Sequence, residues 1–158
     1  MEYKKTNAAR LLDKLKIAYH LHSYIVDEND LSAVHVAATM GQNIEQIYKT
    51  LVLHGDKTGI IVAVIPGGWE LNLKSIAKLS GNKNAEMIAV KDLQSLTGYI
   101  RGGCSPLAMK KKYPVYIDAS CLKLPFILIS AGMRGLQIEI DPIDLIKATE
   151  AVSGELCN

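Results

Sequence analysis

The chain has 158 residues, 49% of them hydrophobic, and its 18 basic and 16 acidic side chains leave a formal net charge of +2. That is enough apolar material for a real core and little enough chain for one domain, so residues 1–158 are expected to form a single unit. No apolar run approaches the roughly 20 residues of a membrane span, and Cys104, Cys121 and Cys157 form no C-x-x-C pair, which argues against a disulfide framework and a zinc site.

In chain order, Thr6 or Asn7 can cap a helix to about Leu15, with Ala8, Leu11, Leu12 and Leu15 on one face. This opening is an amphipathic helix rather than an apolar leader, and a cytoplasmic protein is expected. Ala18 to Val26, rich in aromatic and β-branched residues, predicts a strand broken by Asp27-Glu28-Asn29-Asp30. On this strand His20 and His22 alternate; with no third ligand evident they read as ordinary strand residues. Ser32 to Met40 reads as a short helix ended by Gly41, and Asn43 caps another turn through Ile47.

Two apolar runs, Thr50 to His54 and Gly59 to Ile65, are joined by Gly55-Asp56-Lys57-Thr58, a hairpin signal. The second run is apolar at every residue after Gly59, which predicts a central strand covered on both faces. Leu73 to Leu79 and Val90 to Leu96 read as helices closed by Gly81 and Gly98, and Tyr113 to Ile117, Phe126 to Ser130 and Leu136 to Ile140 as strands. A last helix starts with Asp141 as cap, Pro142 in the first turn and Asp144 near the positive end of the dipole. The sum is a mixed α/β domain, a mixed sheet with surrounding helices, and not a doubly wound parallel fold.

The chemistry concentrates in Thr97-Gly98-Tyr99-Ile100-Arg101-Gly102-Gly103-Cys104-Ser105-Pro106-Leu107. Gly102 and Gly103 let backbone amides turn toward a ligand, and Pro106 stiffens the chain beyond the loop. The loop lies in a basic stretch, since Lys74 to Lys123 holds nine basic and three acidic residues, and this favours a polyanion. No dinucleotide fingerprint, Walker loop or Gly-x-Ser-x-Gly elbow is present. Cys104 is a nucleophile only if a base or cation holds its thiolate, and the sequence places no histidine beside it. Trp69 reads as a packing residue, with base stacking as the alternative.

Taken together, Tyr48-Lys49-Thr50-Leu51-Val52, the glycine loop and Ser130-Ala131-Gly132-Met133-Arg134-Gly135 resemble the YbaK family of trans-editing aminoacyl-tRNA deacylases, relatives of the editing domain inserted in bacterial prolyl-tRNA synthetases. The likeness begins at Lys5-Thr6-Asn7-Ala8-Ala9-Arg10, continues through Leu21-His22-Ser23-Tyr24 and covers nearly the whole chain. Within the family the branch acting on Cys-tRNA(Pro) and Cys-tRNA(Cys) is the most similar.

The resemblance implies a compact α/β editing domain that cleaves the ester between a mischarged amino acid and the terminal adenosine of tRNA, without cofactor or metal. It implies Lys49, Gly102 and Gly103 as the catalytic set, with the glycine amides on the developing oxyanion. Tyr24, Thr50, Tyr99, Ser105, Ser130 and Gly132 are the implied substrate contacts; apart from the resemblance, the Lys110, Lys111 and Lys112 cluster reads either as a contact to acceptor-stem phosphates or as a solvated face. Implied partners are the acceptor end of mischarged tRNA and a prolyl-tRNA synthetase, with no membrane or DNA. For a cysteinyl ester the substrate's own thiol can attack its carbonyl and leave as a thiolactone. Two departures stand out. Ala108 replaces a usual glycine, which suits a tight pocket if its φ is negative, and Ala131 and Met133 replace the small and basic residues often found in the second turn, Met133 being expected to be peripheral. The alternatives are a sibling deacylase for Ala-, Ser- or Thr-tRNA, a non-catalytic module binding aminoacyl-tRNA or a synthetase, and a metal hydrolase.

Overall fold

The computed structural model describes residues 5–158. Helix α1 (Asn7–Lys14) starts where the Thr6 hydroxyl accepts the Ala9 N–H at 3.2 Å, and it buries Ala8, Ala9 and Leu12. Strand β1 (His20–Ser23) is followed by α2 (Ala33–Met40), capped by Ser32 and closed by Gly41 in the left-handed region. Strands β2 (Tyr48–Gly55) and β3 (Gly59–Pro66) form the expected hairpin. Next come α3 (Leu73–Ser80), β4 (Ala85–Met87), α4 (Val90–Thr97), β5 (Val115–Asp118), β6 (Ile127–Ser130), β7 (Leu136–Ile140), α5 (Pro142–Thr149) and β8 (Val152–Gly154). No helix among the described residues is long and apolar enough to cross a membrane.

The α/β class is as expected, and the strands are divided between two sheets. The larger runs β4-β2-β3-β5-β8, antiparallel at β4/β2 and β2/β3 and parallel at β3/β5 and β5/β8. The smaller, β1-β7-β6, is antiparallel, and the two meet where Ile47 bridges Leu128 just before β2.

Alternation along β3 explains its unbroken apolar run. Val62 and Val64 face a core shared with α1, α5 and the smaller sheet, including Leu12, Ile129, Ile138 and Leu145. Ile61, Ala63 and Ile65 face a second core beneath α3 with Leu53 and Ile76. The hairpin turn is held from outside. Asn82, buried, accepts the Lys57 and Thr58 N–H groups at 2.9 and 3.0 Å, and its amide donates to Thr58 and Ser80 hydroxyls.

Three expectations need correction. The first strand covers only His20–Ser23, because β7 offers just five residues to pair with it. Ala108 has φ +56°, not a negative value, so this alanine occupies a backbone state that suits glycine. Trp69 is 48% exposed and belongs to none of the three apolar clusters, so it is not a packing residue.

Candidate functional site

The cleft exists because β4 is short. It pairs with β2 only at Leu53 to Gly55, which leaves the edge of Tyr48 to Val52 open toward α2, α4 and the smaller sheet. In an antiparallel ladder every second residue turns its backbone groups away from its partner. Val52 does so, and its carbonyl accepts the Ile88 N–H at 3.1 Å. Thr50, two residues earlier, turns its backbone to the same open side. The resulting cleft has a volume of about 390 Å³.

Five of the sequence-designated residues line this space together: Tyr24, Lys49, Thr50, Gly102 and Ser130, with Cys104 beside them. Tyr24 is fixed just past β1, where its N–H donates to the Gly135 carbonyl at 2.9 Å. Lys49 lines the cleft, and no ion pair among the described residues involves it. Ser130 accepts the Gly132 N–H at 3.1 Å, which shapes the turn after β6.

The glycine loop divides its labour. Gly102 sits at φ +83° and lines the cleft. The Gly103 N–H instead donates to the Ile100 carbonyl at 2.9 Å, so it is engaged inside the loop rather than aimed at an oxyanion. Gly103 is required for a different reason: a Cβ there would lie 3.1 Å from both Arg134 N and Met133 Cα. Tyr99 and Ser105 also act within the loop. The Tyr99 hydroxyl donates to the Leu107 carbonyl at 2.5 Å, and the buried Ser105 hydroxyl accepts the Leu107 N–H at 3.2 Å. Gly132, at φ +104°, lies against the Tyr99 ring, where a Cβ would approach Cε1 to 3.0 Å. Lys110, Lys111 and Lys112 lie outside the cleft wall, and Lys112 pairs with Glu150 at 2.6 Å.

Burial pushes the Cys104 thiol up to about 12, so it is neutral at physiological pH and a poor nucleophile. The described residues lining the cleft include no histidine, aspartate or glutamate. Its charges are Lys49 and Arg101, both cationic.

Gln137 was not legible as a site residue. It stands on β7 opposite Ser130, is only 6% exposed, lines the cleft, and its Oε1 has no hydrogen-bond partner. Thr50 Oγ1 is likewise buried without a partner. Two orphaned acceptors in one cleft are unusual, since buried polar atoms are nearly always satisfied. Both can accept hydrogen bonds from a ligand's N–H groups.

Residues 27–148 match the model of the aminoacyl-tRNA editing domain. The chain belongs to the aminoacyl-tRNA editing domain family. It is 46% identical over 153 residues to a protein of Enterococcus faecalis provisionally named Cys-tRNA(Pro)/Cys-tRNA(Cys) deacylase EbsC, covering 97% of this chain and 93% of that one. A solved structure described as a candidate trans-editing enzyme for prolyl tRNA synthetase shares the fold, with a TM-score of 0.83, 22% identity, and coverage of 98% of this chain and 99% of that chain. Another, of the hypothetical protein APE2540, has a TM-score of 0.88 at 24% identity, covering 97% of this chain and 100% of that one. Membership places the glycine loop and the strand bearing Lys49 in an editing domain, and their convergence on one cleft agrees with that.

Proposed function

We propose that the protein is a trans-editing deacylase that removes cysteine from mischarged Cys-tRNA(Pro), with residues 1–158 acting as one domain. The observation that carries this reading is the make-up of the cleft: Lys49 with no ion-pair partner among the described residues, Gly102 at the wall and two buried acceptors without partners, with no imidazole or carboxylate among the described lining residues to act as a general base. An aminoacyl ester is already activated, so positioning and oxyanion stabilisation supply most of what is needed. A protein base is dispensable if the substrate brings its own nucleophile.

In this reading the substrate's α-ammonium donates to Thr50 Oγ1 and Gln137 Oε1, and the Gly102 N–H faces the carbonyl oxygen. The Lys49 ammonium lies near the reacting group and favours its anionic forms. The cysteinyl sulfur attacks its own carbonyl carbon, the carbon–oxygen ester bond breaks, and the ribose oxygen leaves with the thiol's proton. Cysteine departs as a thiolactone that water then opens. Lys110 and Lys111 supply sequence-independent contacts to acceptor-stem phosphates. A domain this small has little surface for reading a whole tRNA, and a prolyl-tRNA synthetase is the partner that supplies tRNA identity. The name of the Enterococcus faecalis relative supports the cysteinyl substrate.

The experiment is to compare Cys-tRNA(Pro) with S-methylcysteinyl-tRNA(Pro), whose sulfur cannot attack. The expected result is rapid loss of cysteine and a methylated ester that persists as it does in buffer. Equal cleavage of both would show that water or a protein group is the nucleophile.

A further inference from the structure

Resting on that reading, we propose that Arg134 is a positioning residue whose Nε–H, bonded to the Arg101 carbonyl, holds the Gly102 amide toward the scissile ester. The two turns that frame the cleft are not independent. Arg134 Nε donates to the Arg101 carbonyl at 2.8 Å, and its Nη1 approaches Glu28 Oε2 at 3.4 Å. One guanidinium therefore joins three segments: the turn after β6, the glycine loop, and the loop leading into α2. The fork shape of the group makes this possible, because its donors point in fixed, different directions.

Gly102 is held between two of these partners. A Cβ at this position would lie 3.2 Å from Leu31 Cδ1 and 3.3 Å from Arg134 Nε. The peptide that joins Arg101 to Gly102 carries the carbonyl that Arg134 grips and, on its opposite side, the N–H of Gly102, a residue that lines the cleft. Fixing that carbonyl fixes the plane of the peptide, and so the direction of the amide on the opposite side. An amide that stabilises an oxyanion works through such preorganisation. The contact to Glu28 is long and its carboxylate is 76% exposed, so it adds little. The bond to the carbonyl is the working one. Arg134 does not itself line the cleft.

The test uses two variants of the full chain. Arg134→Gln keeps an N–H donor at the position of Nε, whereas Arg134→Met fills similar space without a donor. The expected result for Arg134→Met is a maximal deacylation rate lower by about tenfold or more, as small misplacements near the chemistry produce, at an unchanged half-saturating tRNA concentration. Arg134→Gln should recover most of the rate. Amide exchange followed by NMR should show the Gly103 N–H, which closes the same turn onto the Ile100 carbonyl, opening faster in Arg134→Met and near its original rate in Arg134→Gln. Equal behaviour of the two variants, or an unmoved Gly103 amide in Arg134→Met, would overturn the proposal. Failure of the unmodified protein to cleave Cys-tRNA(Pro) would instead remove the proposed function, while the exchange of Gly103 would still decide whether Arg134 holds the loop.

Discussion

Replacing Thr50 by valine should make the protein more stable and less active. Thr50 Oγ1 is buried and has no hydrogen-bond partner, and such a group carries a desolvation cost of about 1–3 kcal/mol. Valine has nearly the same shape and nothing to desolvate. Allowing for imperfect repacking, Thr50→Val should gain about 1 kcal/mol, which for a domain of this size raises Tm by roughly 2–4 °C. The same change removes one charge-assisted hydrogen bond from the substrate's α-ammonium, and kcat/KM should fall by roughly 10–100-fold for a loss of about 1.5–3 kcal/mol. Thermal unfolding and single-turnover deacylation of Cys-tRNA(Pro) measure the two halves. A lower Tm with unchanged deacylation would show that the hydroxyl serves the fold and not a ligand.

Asn82→Ala removes the acceptor of two hairpin N–H groups and the donor to two hydroxyls; it should cost about 3 kcal/mol, seen as a lower denaturation midpoint, while deacylation at 25 °C is retained. Ala108→Gly relieves a positive φ of +56°; strain of roughly 1–2 kcal/mol less a glycine entropy cost of roughly 0.5–1 kcal/mol predicts a gain of about 0.5–1 kcal/mol by the same assay. Cys104→Ala should keep most of its activity, far from the loss of about 10⁴-fold or more that removing a covalent nucleophile causes. With its thiol held up to about 12 by burial, Cys104 should also resist alkylation of the native protein at pH 8, as peptide mass mapping would show.

Helix ends were readable because their causes are local: Thr6, Asn43 and Asp141 accept N–H groups of the first turn, and Gly41 and Gly81 take the left-handed state that stops a helix. The burial of β3 on both faces was readable from its run of apolar residues. Strands β4 and β8 were not, since Ala85–Met87 and Val152–Gly154 are three residues each and are strands only because β2 and β5 pair with them. At the site, Lys49, Tyr24, Thr50, Gly102 and Ser130 stood out in motifs. Gln137 alternates with Leu136 and Ile138 as any outward polar strand residue does, and only the packing of the two sheets makes its face a cleft wall. Likewise, nothing in the order of residues tells that the Gly103 amide closes a turn onto Ile100 while its neighbour does not.

A cysteine-directed editing site built around Lys49 should show itself in single-turnover deacylation of Cys-tRNA(Pro), Ala-tRNA(Pro) and Ser-tRNA(Pro), each with the unmodified protein and with Lys49→Ala. The expected result is rapid loss of cysteine alone, abolished by Lys49→Ala. Preferential release of alanine or serine, or full activity without the Lys49 ammonium, would contradict it.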